Sequence, residues 1–122
     1  MKFEKYNPVD EKESCVIRTF SKLFNKDFYR MKKELIEYAK EKGYNSYNDI
    51  EVFESYLLKN NYKKQNIAEE LIENMSINYK KCAVLCHKDD YYHMIPIIDN
   101  TIYDKDKDCL KLYAVSLYYE IN

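Results

Sequence analysis

YYHMIPIIDNTIYD, residues 91–104, reads as two strands and the turn between them. β-Branched and aromatic residues dominate both arms, and Asp99-Asn100 suits the left-handed backbone of a two-residue hairpin loop. With that tip, residues whose numbers sum to 199 face each other: Ile97 with Ile102, Ile95 with Asp104, His93 with Asp106. Strand alternation puts Tyr91, His93, Ile95 and Ile97 on one face. Asp104 shares that face one diagonal step from His93, about 7–8 Å between backbones and less between side chains. A carboxylate there can orient an imidazole. Asp106, directly opposite His93 but at the strand end, is the reserve acid. Pro96 donates no ladder bond, so its nitrogen must face a gap, a bulge or an edge. A one-residue slip would destroy the His–Asp relation.

Two further stretches share this character. YKKCAVLCH, residues 79–87, precedes the hairpin, and LKLYAVSLYY, residues 110–119, follows it, separated by turn signals at Lys88-Asp89-Asp90 and at Asp106 to Asp108. Upstream the period changes. Ser14 can cap a helix with the stripe Val16, Ile17, Phe20, Leu23 and Phe24;. Asp27 can cap a second, with Phe28, Met31, Leu35, Tyr38 and Ala39 on its face and Gly43 as its stop;. Asp49 or Asn48 opens a third, with Ile50, Phe53, Tyr56 and Leu57 on one face and Asn60-Asn61 at its end. Asn66 is expected to open a short fourth through Ile67, Leu71 and Met75. The first dozen residues read as a tail. Helices first and strands after predict a single α+β domain over residues 1–122, N-terminal helices packed on a C-terminal antiparallel sheet.

Composition narrows the class. With 46% hydrophobic and 34% charged residues the chain has enough apolar material to fold, and 122 residues suit one core;. A net charge of −1 gives no general attraction to nucleic acid or to an anionic membrane, so neither partner is expected;. The first fourteen residues carry no apolar run of signal-peptide length, and no stretch approaches a membrane span;. The four cysteines, Cys15, Cys82, Cys86 and Cys109, are therefore expected as reduced thiols in a cytoplasm, a bacterial cytosol or that of a host cell;.

Cys15 directly follows the helix cap at Ser14, the place where a thiol is easiest to ionise;. A thiol there, a later strand histidine and a following acid are the parts of a Cys-His-acid nucleophilic site. Structural readings compete. Cys15 could be a small buried hydrophobe beside Phe20, His93 a hydrogen-bonded core histidine, and Asp104 a strand-end carboxylate.

The order YNPVDEKESCVIRTF, then CAVLCHKDDYYHMIPIIDNTIYD, then KLYAVSLYY resembles small papain-like cysteine peptidase domains of bacteria and their viruses. The resemblance is sharpest at Ser14 to Arg18 and from His93 to Asp104. It implies a helix bearing the cysteine packed on a sheet bearing the histidine. It implies Cys15 as nucleophile, His93 as general base and acid, Asp104 as the orienting acid and Asn7 as the oxyanion amide. The larger relatives use a glutamine closer to the cysteine for that amide, and the hairpin tip here lacks their glycine. The implied activity is cleavage of an amide, isopeptide or thioester in a protein or peptide, with no cofactor and no metal. A scaffold that binds a protein partner without turnover is the alternative, and acyl transfer to an amine is a third.

Other signals read as structural. Cys82 and Cys86 lie four apart on a strand, about 13 Å, too far to share a metal. His87 points to the face opposite Cys86. DKDKDC, residues 104–109, imitates a calcium loop but has Cys109 where the turn needs glycine and Val115 where it needs a bidentate glutamate;. Arg18, one turn below Cys15, reads as a solvated or paired arginine.

Overall fold

Aspartate caps and left-handed stops divide the first half into three helices, as their spacing predicts. A computed structural model describes residues 1–121. Helix α1 is Cys15–Phe24, α2 is Phe28–Glu41 and α3 is Ile50–Lys59. The Asp27 carboxylate accepts the N–H groups of Tyr29 and Arg30, and that of Asp49 accepts the N–H of Glu51;. Asn25 ends α1 at φ 52°, and Gly43 follows α2 at φ 81°;. Val16, Ile17, Phe20, Leu23, Phe28, Met31, Leu35, Phe53 and Leu57 are buried together. Ile50 departs from the expected face: it lies exposed in the first turn of α3, and Val52 is buried instead.

The second half and both ends of the helical region form one six-stranded mixed sheet. Its strands are β1 (Lys2–Lys5), β2 (Tyr62–Leu71), β3 (Lys81–Lys88), β4 (Tyr91–Ile98), β5 (Thr101–Asp104) and β6 (Tyr113–Glu120), in the order β1-β5-β4-β3-β6-β2. β1 runs parallel to β5 and every other neighbour is antiparallel.

Three expectations are corrected. Lys2–Lys5 is an edge strand and not a tail, with Phe3 opposite Ile102 and packed on the core. Residues 66–71 belong to β2 and not to a fourth helix. The edge of β6 offers ladder partners to Asn66, Glu70 and Leu71 on either side of a register shift, which outweighs the helix preference of Ala68, Glu69, Glu70 and Leu71;. The last strand starts at Tyr113 and not at residue 110. The Asp106 side chain accepts the Asp108 N–H and opens a 3-10 turn over Lys107–Lys111.

The decisive hairpin has the expected register. Asp99 and Asn100 both have positive φ, 49° and 61°, and Ile98 pairs with Thr101 and Ile97 with Ile102;. The ladder stops there. Backbone groups alternate along a strand, so Met94, Pro96 and Ile98 all point theirs toward β5. Pro96 has no N–H to give. Beyond it β4 and β5 carry no paired residues, and the open backbone of Met94 faces α1, where the Thr19 hydroxyl donates to its carbonyl at 3.1 Å.

The sheet thus has two unlike faces. Helices cover one, over Ala83, Leu85, Met94 and Tyr118. The other buries Cys82, Val84, Cys86, Ile95, Ile97 and Ile102 under Ile72, Cys109 and Leu112. Among the described residues no helix is long and apolar enough to cross a membrane.

Candidate active site

The gap between β4 and β5 is where the N-terminal turn of α1 meets the sheet. Glu13, at φ 55°, turns the chain into the helix. Ser14 does not cap it by side chain as expected. Its hydroxyl is buried and donates back to the Glu11 carbonyl at 2.6 Å, while its own carbonyl accepts the Arg18 N–H at 2.8 Å to begin the helix. The Asn48 amide donates to the Glu13 carbonyl at 3.2 Å and pins the same bend. Cys15 is left half-buried at the first position of α1, near enough to the His93 imidazole and the Met94 backbone for both to act on its thiol.

His93 is buried on β4, and its ring is held from both sides. Nε2 lies 2.7 Å from Asp104 Oδ2. Nδ1 lies 3.4 Å from the Tyr91 hydroxyl, and the Tyr91 ring stacks on the imidazole. Asp104, also buried, ends β5 on the face that alternation assigns to His93. Its second oxygen, Oδ1, accepts Arg18 Nη2 at 3.0 Å and the Lys105 N–H at 2.8 Å. The Tyr6 N–H holds the Asp104 carbonyl at 2.8 Å, which fixes the end of β5 against the N-terminal segment.

Burial opposes charge at each of these groups, and specific contacts overcome it. For Cys15, burial favours the neutral thiol, but the hydrogen bond and charge of His93, the Met94 backbone and the charge of Arg18 lower its pKa below the ordinary value;. For His93, burial disfavours the imidazolium, but the bonds to Asp104 and Cys15 raise it to about 9. For Asp104, burial works against ionisation and the His93 bond with its charge wins, so the carboxyl is held below its ordinary range. These shifts both favour a thiolate on Cys15 beside an imidazolium on His93. The other cysteines go the opposite way: burial pushes Cys82 and Cys109 up to about 12 and Cys86 higher still.

The reserve acid and the proposed amide lie outside this chain of contacts. Asp106 spends its carboxylate on the Asp108 N–H, so Asp104 is the acid on His93. Asn7 follows the Tyr6 bond to Asp104, and its Oδ1 is buried without a hydrogen-bond partner. A cleft of about 230 Å³ opens on the acid side, lined by Tyr91, His93, Asp104, Asp106, Asp108 and Leu112 among others. Cys15 is not in its wall, so it can take a side chain near the site but not the bond that the sulfur attacks. Tyr91 reaches the site from the strand face that alternation shares with His93, whereas Arg18 reaches it with little warning in the sequence. Arg18 carried one signal, its position one turn below Cys15. His87 lies on the other face, 2.9 Å from Glu69.

No protein-family model, curated protein or solved structure matches the chain.

Proposed function

We propose that the chain is a papain-like thiol hydrolase that cleaves an amide, isopeptide or thioester of a protein or peptide through Cys15. One observation carries this reading. The half-buried thiol at the start of α1 lies near enough to an imidazole to be acidified by it, and that imidazole is bonded, at 2.7 Å, to a buried carboxylate. A structural cysteine needs none of this.

The Cys15 thiolate attacks the carbonyl carbon, and the carbonyl electron pair moves onto oxygen. The free Cys15 N–H at the helix start and the Asn7 amide are the donors proposed for that oxyanion. The imidazolium of His93 gives its proton to the leaving nitrogen or sulfur as the bond to carbon breaks, which leaves a thioester on Cys15. His93, now neutral, takes a proton from water as the water attacks the thioester. The acid product leaves and the thiolate returns. Asp104, bonded to Nε2, keeps the ring in one orientation and stabilises its charged form;. No step calls for a cofactor.

A simple acyl donor tests the proposal. Incubated with p-nitrophenyl acetate at pH 7, the protein is expected to gain one acetyl group on Cys15, which decays with time and is absent from Cys15→Ala. Acetylation spread evenly over the four cysteines, or none at all, would sink the hydrolase reading and favour a partner-binding scaffold.

A further inference from the structure

We propose that Arg18 is a positioning residue of this site: it locks Asp104 in the orientation that serves His93, and its charge sets the pH range over which the Cys15 thiolate exists. The assignment deepens the thiol reading and rests on it. The geometry is specific. Arg18 is 4% exposed, and its guanidinium bridges two elements of the site, donating from Nη2 to Asp104 Oδ1 at 3.0 Å and from Nη1 to Ser14 Oγ at 3.4 Å. Ser14 is itself bonded back to Glu11. The guanidinium thus ties the turn that presents the sulfur to the strand that presents the acid. Because Arg18 holds Oδ1, only Oδ2 is left for the imidazole, and the carboxylate cannot rotate without losing a buried charge-assisted bond.

The charge count gives the second half of the argument. Thiolate, imidazolium, carboxylate and guanidinium sum to zero. Without Arg18 the same buried cluster would carry one net negative charge. The groups that surround it do not replace the lost cation. They are Tyr91 on β4, Cys86 on β3, Tyr47 in the loop before α3, and Lys105, Asp106 and Cys109 beyond β5. The neutral ones are phenols and thiols whose ionisation burial opposes. Lys105 reaches Asp104 through its backbone N–H. Removing a cation favours protonation of every group nearby. The thiol and the imidazolium should therefore both titrate at higher pH, and the window between them should slide upward as a unit. A carboxylate lost from the same cluster does something different: it lowers the imidazolium and narrows the window.

The experiment is the rate of Cys15 alkylation by iodoacetamide across pH 5–10, with the adduct located by peptide mapping. His93 titration by NMR follows in the same samples. Arg18→Gln is expected to react roughly tenfold more slowly than wild type at pH 6 and to approach its rate at high pH. Its imidazole should titrate above the wild-type value. Arg18→Lys, which keeps the charge, is expected within about threefold of wild type throughout. A purely structural role would lower the amount of reactive protein without moving either limb. A folded Arg18→Gln whose profile overlays wild type would overturn the proposal. So would an Arg18→Lys that loses the low-pH reactivity as Arg18→Gln does. If the lone carboxylate of Arg18→Gln prevents folding, the Arg18→Gln/Asp104→Asn double variant is compared with Asp104→Asn, and the double must again be the slower at pH 6. Equal rates there reject the charge effect. Wild type separates the two proposals: a Cys15 no faster than the other cysteines at pH 6 sinks the thiol reading, whereas a fast Cys15 insensitive to Arg18 sinks only this one.

Discussion

Cys15 and Cys86 both touch His93, and they are opposites. Cys86 sits across the ladder from it on β3 and donates its thiol to the His93 carbonyl at 3.3 Å. Its surroundings are Val84, Ile95, Cys109 and Ala114 on the helix-free face, and burial there drives its pKa up. Cys15, at the start of α1 on the helical side, is acted on by the ring of the same residue. Burial pushes the pKa of both thiols up, so burial alone does not account for their opposite shifts. The partner does: a backbone carbonyl wants the S–H kept, whereas an imidazolium backed by a carboxylate wants it gone.

The widest contrast is chemical. At pH 6 iodoacetamide should label Cys15 on the order of a hundredfold or more faster than Cys82, Cys86 or Cys109, by the thiolate fraction alone. Equal rates would erase the distinction. Next comes Asp104→Asn, which leaves Arg18 buried without its counter-charge. It is expected to cost about 3–5 kcal/mol in denaturant unfolding, because breaking a buried pair leaves an uncompensated charge. A loss under 1 kcal/mol would mean the pair is solvated. His93→Ala should slow Cys15 labelling at pH 6 by about a hundredfold and leave Cys86 unchanged, since only Cys15 draws on the ring. Slowing of both would point to a disturbed fold instead.

The smallest effect is in the pH dependence of stability. A histidine raised from 6.5 to about 9 contributes stability that is complete below 6.5 and is lost as pH rises through 9;. Cys15, lowered from 9.0, does the reverse, since its thiolate gains stability as pH rises toward the ordinary thiol value. With the proposed thiolate–imidazolium pairing one proton has only moved from sulfur to nitrogen, so the two trends offset and wild-type stability should be nearly flat from pH 6.5 to 9. Cys15→Ala removes one of them. Its stability should fall by roughly 1–2 kcal/mol over that interval, read from urea midpoints. A flat Cys15→Ala would show that Asp104 alone does not hold the imidazolium. Asp104 acts at the other end. Its stabilisation is present above the ordinary carboxyl value of 3.8 and is lost as pH falls through its lowered one.

What could be read from the chain in advance was local. Asp99-Asn100 determines the hairpin register by turn chemistry, and that register puts Asp104 on the face of His93. Asp27 and Asp49 announce their helices by capping. The misses are elements whose partners lie far along the chain. Lys2–Lys5 has one apolar residue and becomes a strand only because β5 offers an edge. Residues 66–71 favour a helix locally and are overruled by β6. Ser14 looked like a cap because its role depends on a bend at Glu13 that no motif announces. Arg18 looked like a surface or paired arginine, and nothing near it in sequence names Asp104, 86 residues away.

That separation has a consequence during synthesis. Cys15 leaves the ribosome long before His93 and Asp104 have been translated, and β1 waits as long for β5. Until the late strands arrive the sulfur has no base, and an unpaired thiol near pKa 8.5 is only a few per cent anionic at neutral pH. The nascent or misfolded polypeptide is thus a poor nucleophile. On the proposed reading, reactivity switches on only when the late strands have docked, so a damaged copy disarms itself.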